Sequence, residues 1–221
     1  METWWITALT VGLAALATAI MLPPGLLLAW VLARKRFRGR VLLETLVSLP
    51  LVMPPVATGL ILLMLLAPRG TFGGVLASMG IEIVFTWKAV VIAMAVMGLP
   101  LLVRTARAGL EQVDQRYEQV ASTLGARPLR VFLTVTLPLA LPSVAAAAVL
   151  CFARAIGEFG ATMMIAGSIP GSTRTLAVAI YSFAETGRDA DAAQLVLVSG
   201  VIAFAALALS NFITTRAGVR A

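Results

Sequence analysis

The sequence predicts an all-α integral membrane protein, a polytopic helical bundle of about five spans, and three observations carry that prediction. Hydrophobic residues make up 60% of the 221-residue chain and charged residues only 12%, about half the charged share of an average soluble protein. The apolar residues gather in long runs, several of them at or above the ~20 residues a helix needs to cross a bilayer core. The cationic residues fall between these runs, in polar stretches where they set orientation in the membrane. The net charge of +7 therefore indicates topology and not a nucleic-acid partner. There is no histidine, and the one cysteine, Cys151, sits inside an apolar run, so no disulfide framework, histidine metal site or histidine base is available.

The first run, residues 4–33, opens on Trp4 and Trp5, which suit the membrane interface. It is longer than the apolar core of a signal peptide and lacks a positive leader, so it is expected to be retained as a helix. Its length requires a tilt or a bend, with Pro23-Pro24-Gly25 the obvious place. Arg34-Lys35-Arg36-Phe37-Arg38-Gly39-Arg40 follows, five cations in seven residues. The positive-inside rule puts this loop in the cytoplasm and the N-terminus outside.

The second run, residues 41–67, is interrupted by Pro50, Pro54 and Pro55 and returns outward. Residues 68–86, rich in glycine and proline and poor in charge, form an outer loop. Residues 87–103 run inward, 139–166 outward and 195–213 inward, leaving Arg216 and Arg220 inside, with an outer segment at 169–194. Twelve Lys and Arg residues then lie inside and four outside. A sixth crossing is open only to the mildly apolar runs 176–183 or 75–85. No internal repeat folds the chain into two halves, and five helices hardly enclose a gated path. A two-fold homodimer with the path on its axis is therefore expected.

The cytoplasmic stretch 104–138 stands apart because it is polar and carries five arginines. Asp114 can cap a helix whose apolar positions Val113, Tyr117, Val120, Ala121 and Leu124 recur at helical spacing, with Gln115, Arg116, Glu118, Gln119 and Ser122 on the other side. Gly125 ends that helix and Pro128 can begin the next, which runs through Leu137-Pro138 into the following span. Neighbouring helices need only a handful of residues to be joined, so so long an ordered polar stretch reads as a docking surface.

Gln119-Val120-Ala121, Gly125 and Val135-Thr136-Leu137-Pro138 resemble the coupling loop of ATP-binding-cassette (ABC) import permeases. That loop carries a Glu-Ala-Ala triplet, a glycine four residues later and an apolar-x-Leu-Pro ending. Here the family's glutamate falls on Gln119, with Glu118 one place early, and its first alanine is Val120. The resemblance covers residues 6–213 and implies the transmembrane domain of a type I importer. It would make Glu118, Gln119, Val120, Ala121, Leu124, Gly125, Leu137 and Pro138 the coupling surface for a cytoplasmic ATPase dimer. Any anchoring contact made by the family's glutamate would be made differently in this chain.

Arg154 and Glu158 are charges inside an apolar run, four residues apart and able to pair on one helix face. They read either as a structural ion pair near the outer end of the span or as a pathway element, with Arg154 offering positive potential to an anion and Glu158 holding it. The surrounding Gly157-Glu158-Phe159-Gly160-Ala161-Thr162, followed by Ile169-Pro170-Gly171-Ser172-Thr173-Arg174-Thr175-Leu176, is similar to molybdate permeases and more distantly to sulfate permeases. The resemblance implies import of an oxyanion, molybdate first, with tungstate or sulfate and thiosulfate as alternatives. It also implies an external binding protein and the inner membrane of a prokaryote. No Gly-x-x-x-x-Gly-Lys-Ser/Thr loop occurs, so ATP hydrolysis is expected on a partner subunit and no catalytic, cofactor or metal residue in this chain. A secondary transporter or channel would instead be expected to show inverted repeats and a midplane carboxylate cluster. A purely structural membrane subunit would leave residues 104–138 unexplained.

Overall fold

The computed structural model describes residues 2–218, with side chains as far as 215. Arg220 and the side chain of Arg216 lie outside the described residues. Among the described residues four helices are long and apolar enough to cross a membrane: α1 (Glu2–Arg34), α5 (Trp87–Gln112), α8 (Leu137–Ile156, continuous with the helical turns that precede it) and α11 (Asp189–Gly218). A candidate fifth crossing is a broken pair, α2 (Arg40–Val52) and α3 (Pro55–Leu66), bent by 111° at the break between them. The remaining helices are short: α4 (Gly73–Ser78), α6 (Gln115–Thr123), α7 (Pro128–Val131), α9 (Gly160–Ala166) and α10 (Leu176–Glu185). At ten residues α10 spans about 15 Å and α4 less. Neither supplies a sixth crossing.

Contacts fix the relative direction of α1, α5 and α8. Gly98 of α5 lies against Met21 of α1, and Arg34 at the end of α1 reaches Val113 at the end of α5, so these two run parallel. Cys151 of α8 donates to the Gly98 carbonyl at 3.5 Å while Ser143 packs on Gly109, so α8 is antiparallel to α5. Ser210 of α11 donates to the Ala146 carbonyl at 3.4 Å, which ties α11 to α8. Alanines and glycines line these seams, as expected where helices must approach closely without a water-driven core. The core has two ends. One joins Leu13, Met94, Ile156, Ile165, Leu176 and Leu195; the other joins Leu32, Leu102, Leu110, Val113 and Val144.

The bend between α2 and α3 follows from proline chemistry. Met53 and Pro54 are extended, with ψ of 146° and 131°, because a residue before proline is pushed out of the helical region. Pro55 then opens α3 at a position where its missing N–H costs nothing. α2 is held to α5 by Arg107, which pairs with Glu44 at 2.8 Å, and by Arg104, which donates to Ser48. α3 packs on α9 through two glycines: a Cβ on Gly59 would stand 2.7 Å from the Ala161 Cα, and one on Gly160 would stand 2.8 Å from the Pro55 Cβ. The pair thus covers both halves of the bundle's depth. α1, by contrast, runs unbroken through Pro23 and Pro24.

The fourth span, expected over residues 139–166, is divided between two helices. α8 stops at Ile156, and the chain turns through Gly157, Glu158 and Phe159 before α9 begins. The Glu158 carboxylate accepts the Ala161 N–H at 3.0 Å and so satisfies a donor that the break would otherwise leave open.

Candidate functional site

Each turn of the stretch that joins α5 to α8 has a local cause. Val113 ends α5 in an extended conformation, and the Asp114 carboxylate accepts the Arg116 N–H at 2.9 Å, which starts α6. At the far end Gly125 has φ of +83°, and the Ala126 N–H bonds to the Ala121 carbonyl while the Gly125 N–H bonds to that of Ser122. These two bonds are the paired closure of a glycine-terminated helix. Pro128 opens α7. The next five residues, Phe132–Thr136, form a widened π turn in which the Leu137 N–H reaches back to the Phe132 carbonyl. Pro138, just beyond, carries no N–H for the Thr134 carbonyl, so the ladder is already interrupted there.

α6 is amphipathic, and its apolar side faces out. Tyr117 and Val120 are each 60% exposed, Leu124 is 83% exposed, and Leu129 and Leu133 extend the same kind of surface. Gln119 and Gly125 are also exposed, Ala121 is half-buried, and Pro138 is exposed at the start of α8. Leu137 packs against the neighbouring core. Glu118 departs from this set because it turns inward. Its Oε1 accepts from Arg34 Nε at 2.9 Å and from Thr136 Oγ1 at 2.8 Å, and Arg34 Nη2 lies 2.9 Å away. The structure therefore brings Glu118 together with the turn that precedes Leu137-Pro138, and leaves Gln119, Val120, Leu124 and Gly125 open. Arg34 and Thr136 were missed by sequence reasoning. Arg34 read only as the first cation of a basic loop, and no spacing rule links it to a glutamate 84 positions away.

The intramembrane pair forms across the helix break. Arg154 Nη1 stands 3.0 Å from Glu158 Oε2, with the glutamate 1% and the arginine side chain 34% exposed. At the end of the bundle remote from α6, Arg188 bridges Glu2 and Asp191. The Arg188 guanidinium pKa is raised, first by its hydrogen bond to Asp191 and then by that to Glu2.

Residues 25–218 match the family of binding-protein-dependent transport system inner membrane components. The chain belongs to that family. The permease is 43% identical over 212 residues to the molybdenum transport system permease protein ModB of Escherichia coli K12, covering 95% of this chain and 93% of the relative. It is 41% identical over 215 residues to ModB of Haemophilus influenzae, covering 96% and 94%. The sulfate transport system permease protein CysT of Salmonella typhimurium is 41% identical over 157 residues, which is 71% of this chain and 57% of that relative. Among solved structures, a bacterial ABC transporter that imports the polysaccharide alginate superposes with a TM-score of 0.70 at 16% identity, covering 98% of this chain and 80% of the other. The inward-facing methionine transporter MetNI superposes with a TM-score of 0.65 at 17% identity, covering 96% and 94%. At those identities the permease shares their fold. It is a multi-pass inner-membrane protein.

Proposed function

We propose that this chain is the permease subunit of a molybdate importer, working as a homodimer with a cytoplasmic ATPase dimer and an external binding protein. The observation that carries this reading is the identity to molybdenum permeases along nearly the whole length of both chains. The sulfate relative matches a smaller share of this chain, so sulfate is the second reading and tungstate, another tetrahedral oxyanion, the third. The permease has a transport role, and ATP is hydrolysed on its partner.

The exposed apolar face of α6 and the turn after it is the surface offered to the ATPase, with Gln119, Val120, Ala121, Leu124 and Gly125 as its contact residues. Leu137 and Pro138 carry that contact into α8. Apolar side chains held out on a polar loop at this level of exposure mark a protein contact. ATP binding would draw the two α6 helices together and open the permease pair outward, and hydrolysis would reset it. Arg154 lines the path and Glu158 holds it. Selectivity resides mainly in the external protein, so the anion is only weakly imprinted on the permease.

In cells lacking their own molybdate permease, the three genes expressed together should restore radiolabelled molybdate uptake, with tungstate competing well and a hundredfold excess of sulfate poorly. Uptake restored for sulfate and not for molybdate would exchange the first two readings. Orientation is tested separately. Reporters fused after Arg40 or within residues 113–127 should behave as cytoplasmic, and one fused near Arg188 as external. A cytoplasmic signal at Arg188 would overturn the proposed topology.

A further inference from the structure

The apolar face of α6 looks outward, yet its one acidic side chain looks inward. Glu118 Oε1 gathers Arg34 from the end of α1 and Thr136 from the turn that leads into α8. Arg34 Nη2 also donates to the Val113 carbonyl, the last of α5, at 2.9 Å. Three crossings, α1, α5 and α8, therefore meet α6 at one carboxylate. The junction is sheltered: Arg34 keeps 8% and Glu118 19% of its side-chain surface exposed, and Thr136 is 1% exposed. A two-pronged guanidinium contact in such a place is poorly screened by salt and fixes direction as well as distance. α6 otherwise packs mainly on the turns that follow it. Its two ends are an extended residue at Val113 and a glycine at 125, so it is joined to the spans through turns and not through continuous helix.

The geometry points to Glu118 and Arg34 as positioning residues that convert a displacement of α6 into a displacement of α1, α5 and α8. This rests on the reading of α6 as the ATPase-contacting helix. Without the pair, a helix joined to the spans only through its flanking turns follows its partner while the spans stay behind. With it, load on α6 passes through Arg34 into α1, which lies along α5. The glutamate thus serves the inside of the permease, and the contact with the ATPase is left to Gln119 and the apolar face.

The test uses the full complex in proteoliposomes. Spin labels are placed in both copies at Thr123→Cys, exposed on α6, or at Trp4→Cys, exposed at the outer end of α1. The native Cys151 is buried and left in place. In the wild-type background ATP should change the distance between copies at both positions. In Glu118→Gln, which keeps the side chain's shape and its acceptor for Thr136, the ATPase should co-purify at wild-type yield. The Thr123 distance should still change and the Trp4 distance should not. Stimulation of ATP hydrolysis by the loaded binding protein should fall at least tenfold. Arg34→Lys, which keeps the charge but loses the fork, should fall between wild type and Glu118→Gln. A Trp4 response equal to wild type in Glu118→Gln would overturn the inference, as would loss of the ATPase in proportion to loss of stimulation. A wild-type complex that moves at neither position would remove the coupling reading itself, and the inference with it.

Discussion

Gly125→Asp should leave a folded, membrane-inserted permease that no longer retains its ATPase or supports uptake. Gly125 sits at φ +83° with open space where a Cβ would stand, so no neighbour must move to admit a side chain. What remains is the backbone cost, about 1–2 kcal/mol for a side-chain-bearing residue in the left-handed region, together with a carboxylate set beside exposed Leu124 in an apolar contact. Sealing an unpaired charge under a partner costs several kcal/mol more. Co-purification of the ATPase from detergent should fall at least tenfold, and uptake with it. Gly125→Ala carries the backbone cost alone and should lose no more than a few fold. Normal co-purification and uptake by Gly125→Asp would reduce residues 119–125 to a connector.

Glu158→Ala should lower the yield of folded permease severely. It removes the partner of Arg154 and also the acceptor of the Ala161 N–H at the start of α9. Breaking a buried ion pair costs about 3–5 kcal/mol, and the third of Arg154 that stays exposed brings this to about 2–3 kcal/mol. Arg154→Gln with Glu158→Gln leaves no unpaired charge and keeps an acceptor for Ala161, so this double variant should assemble normally. Its uptake should fall at least tenfold, because the positive charge offered to the anion is gone. A double variant that transports as well as wild type would leave the pair a structural one only. Size-exclusion profiles of the extracted protein, read beside uptake, separate the two effects.

How much of this was legible beforehand depended on how local the chemistry was. Asp114, Gly125 and Pro128 act within a few residues of themselves, and the cap, the left-handed turn and the helix restart stand where the sequence places them. The four long spans were legible for the same reason, since apolar length is a local property, and the fifth run is the one its prolines break into a bent pair. The end of α8 was legible only in part, through Gly157 and Gly160, which allow close helix approach or a kink. Arg154 and Glu158 interrupt the apolar run there, but spacing alone does not say that Glu158 stands between two helices and accepts an N–H at the start of the second. Periodicity also groups Tyr117, Val120 and Leu124 on one side of α6 without saying whether that side meets the chain or the solvent. Arg34, far away in sequence, draws Glu118 alone of the polar side inward and leaves the apolar side outward.

The exposed face of α6 has a further consequence for how the complex is made in the cell. In the orientation proposed above, a permease synthesised ahead of its ATPase would present Tyr117, Val120, Leu124 and Leu129 to the cytoplasm with nothing over them, and uncovered apolar surface of this kind invites chaperones, proteases and self-association. Subunit supply and turnover are thereby tied together: copies made in excess of the ATPase should be short-lived. Matched synthesis of the two polypeptides, more than the stability of the membrane bundle, then sets how many transporters a cell keeps.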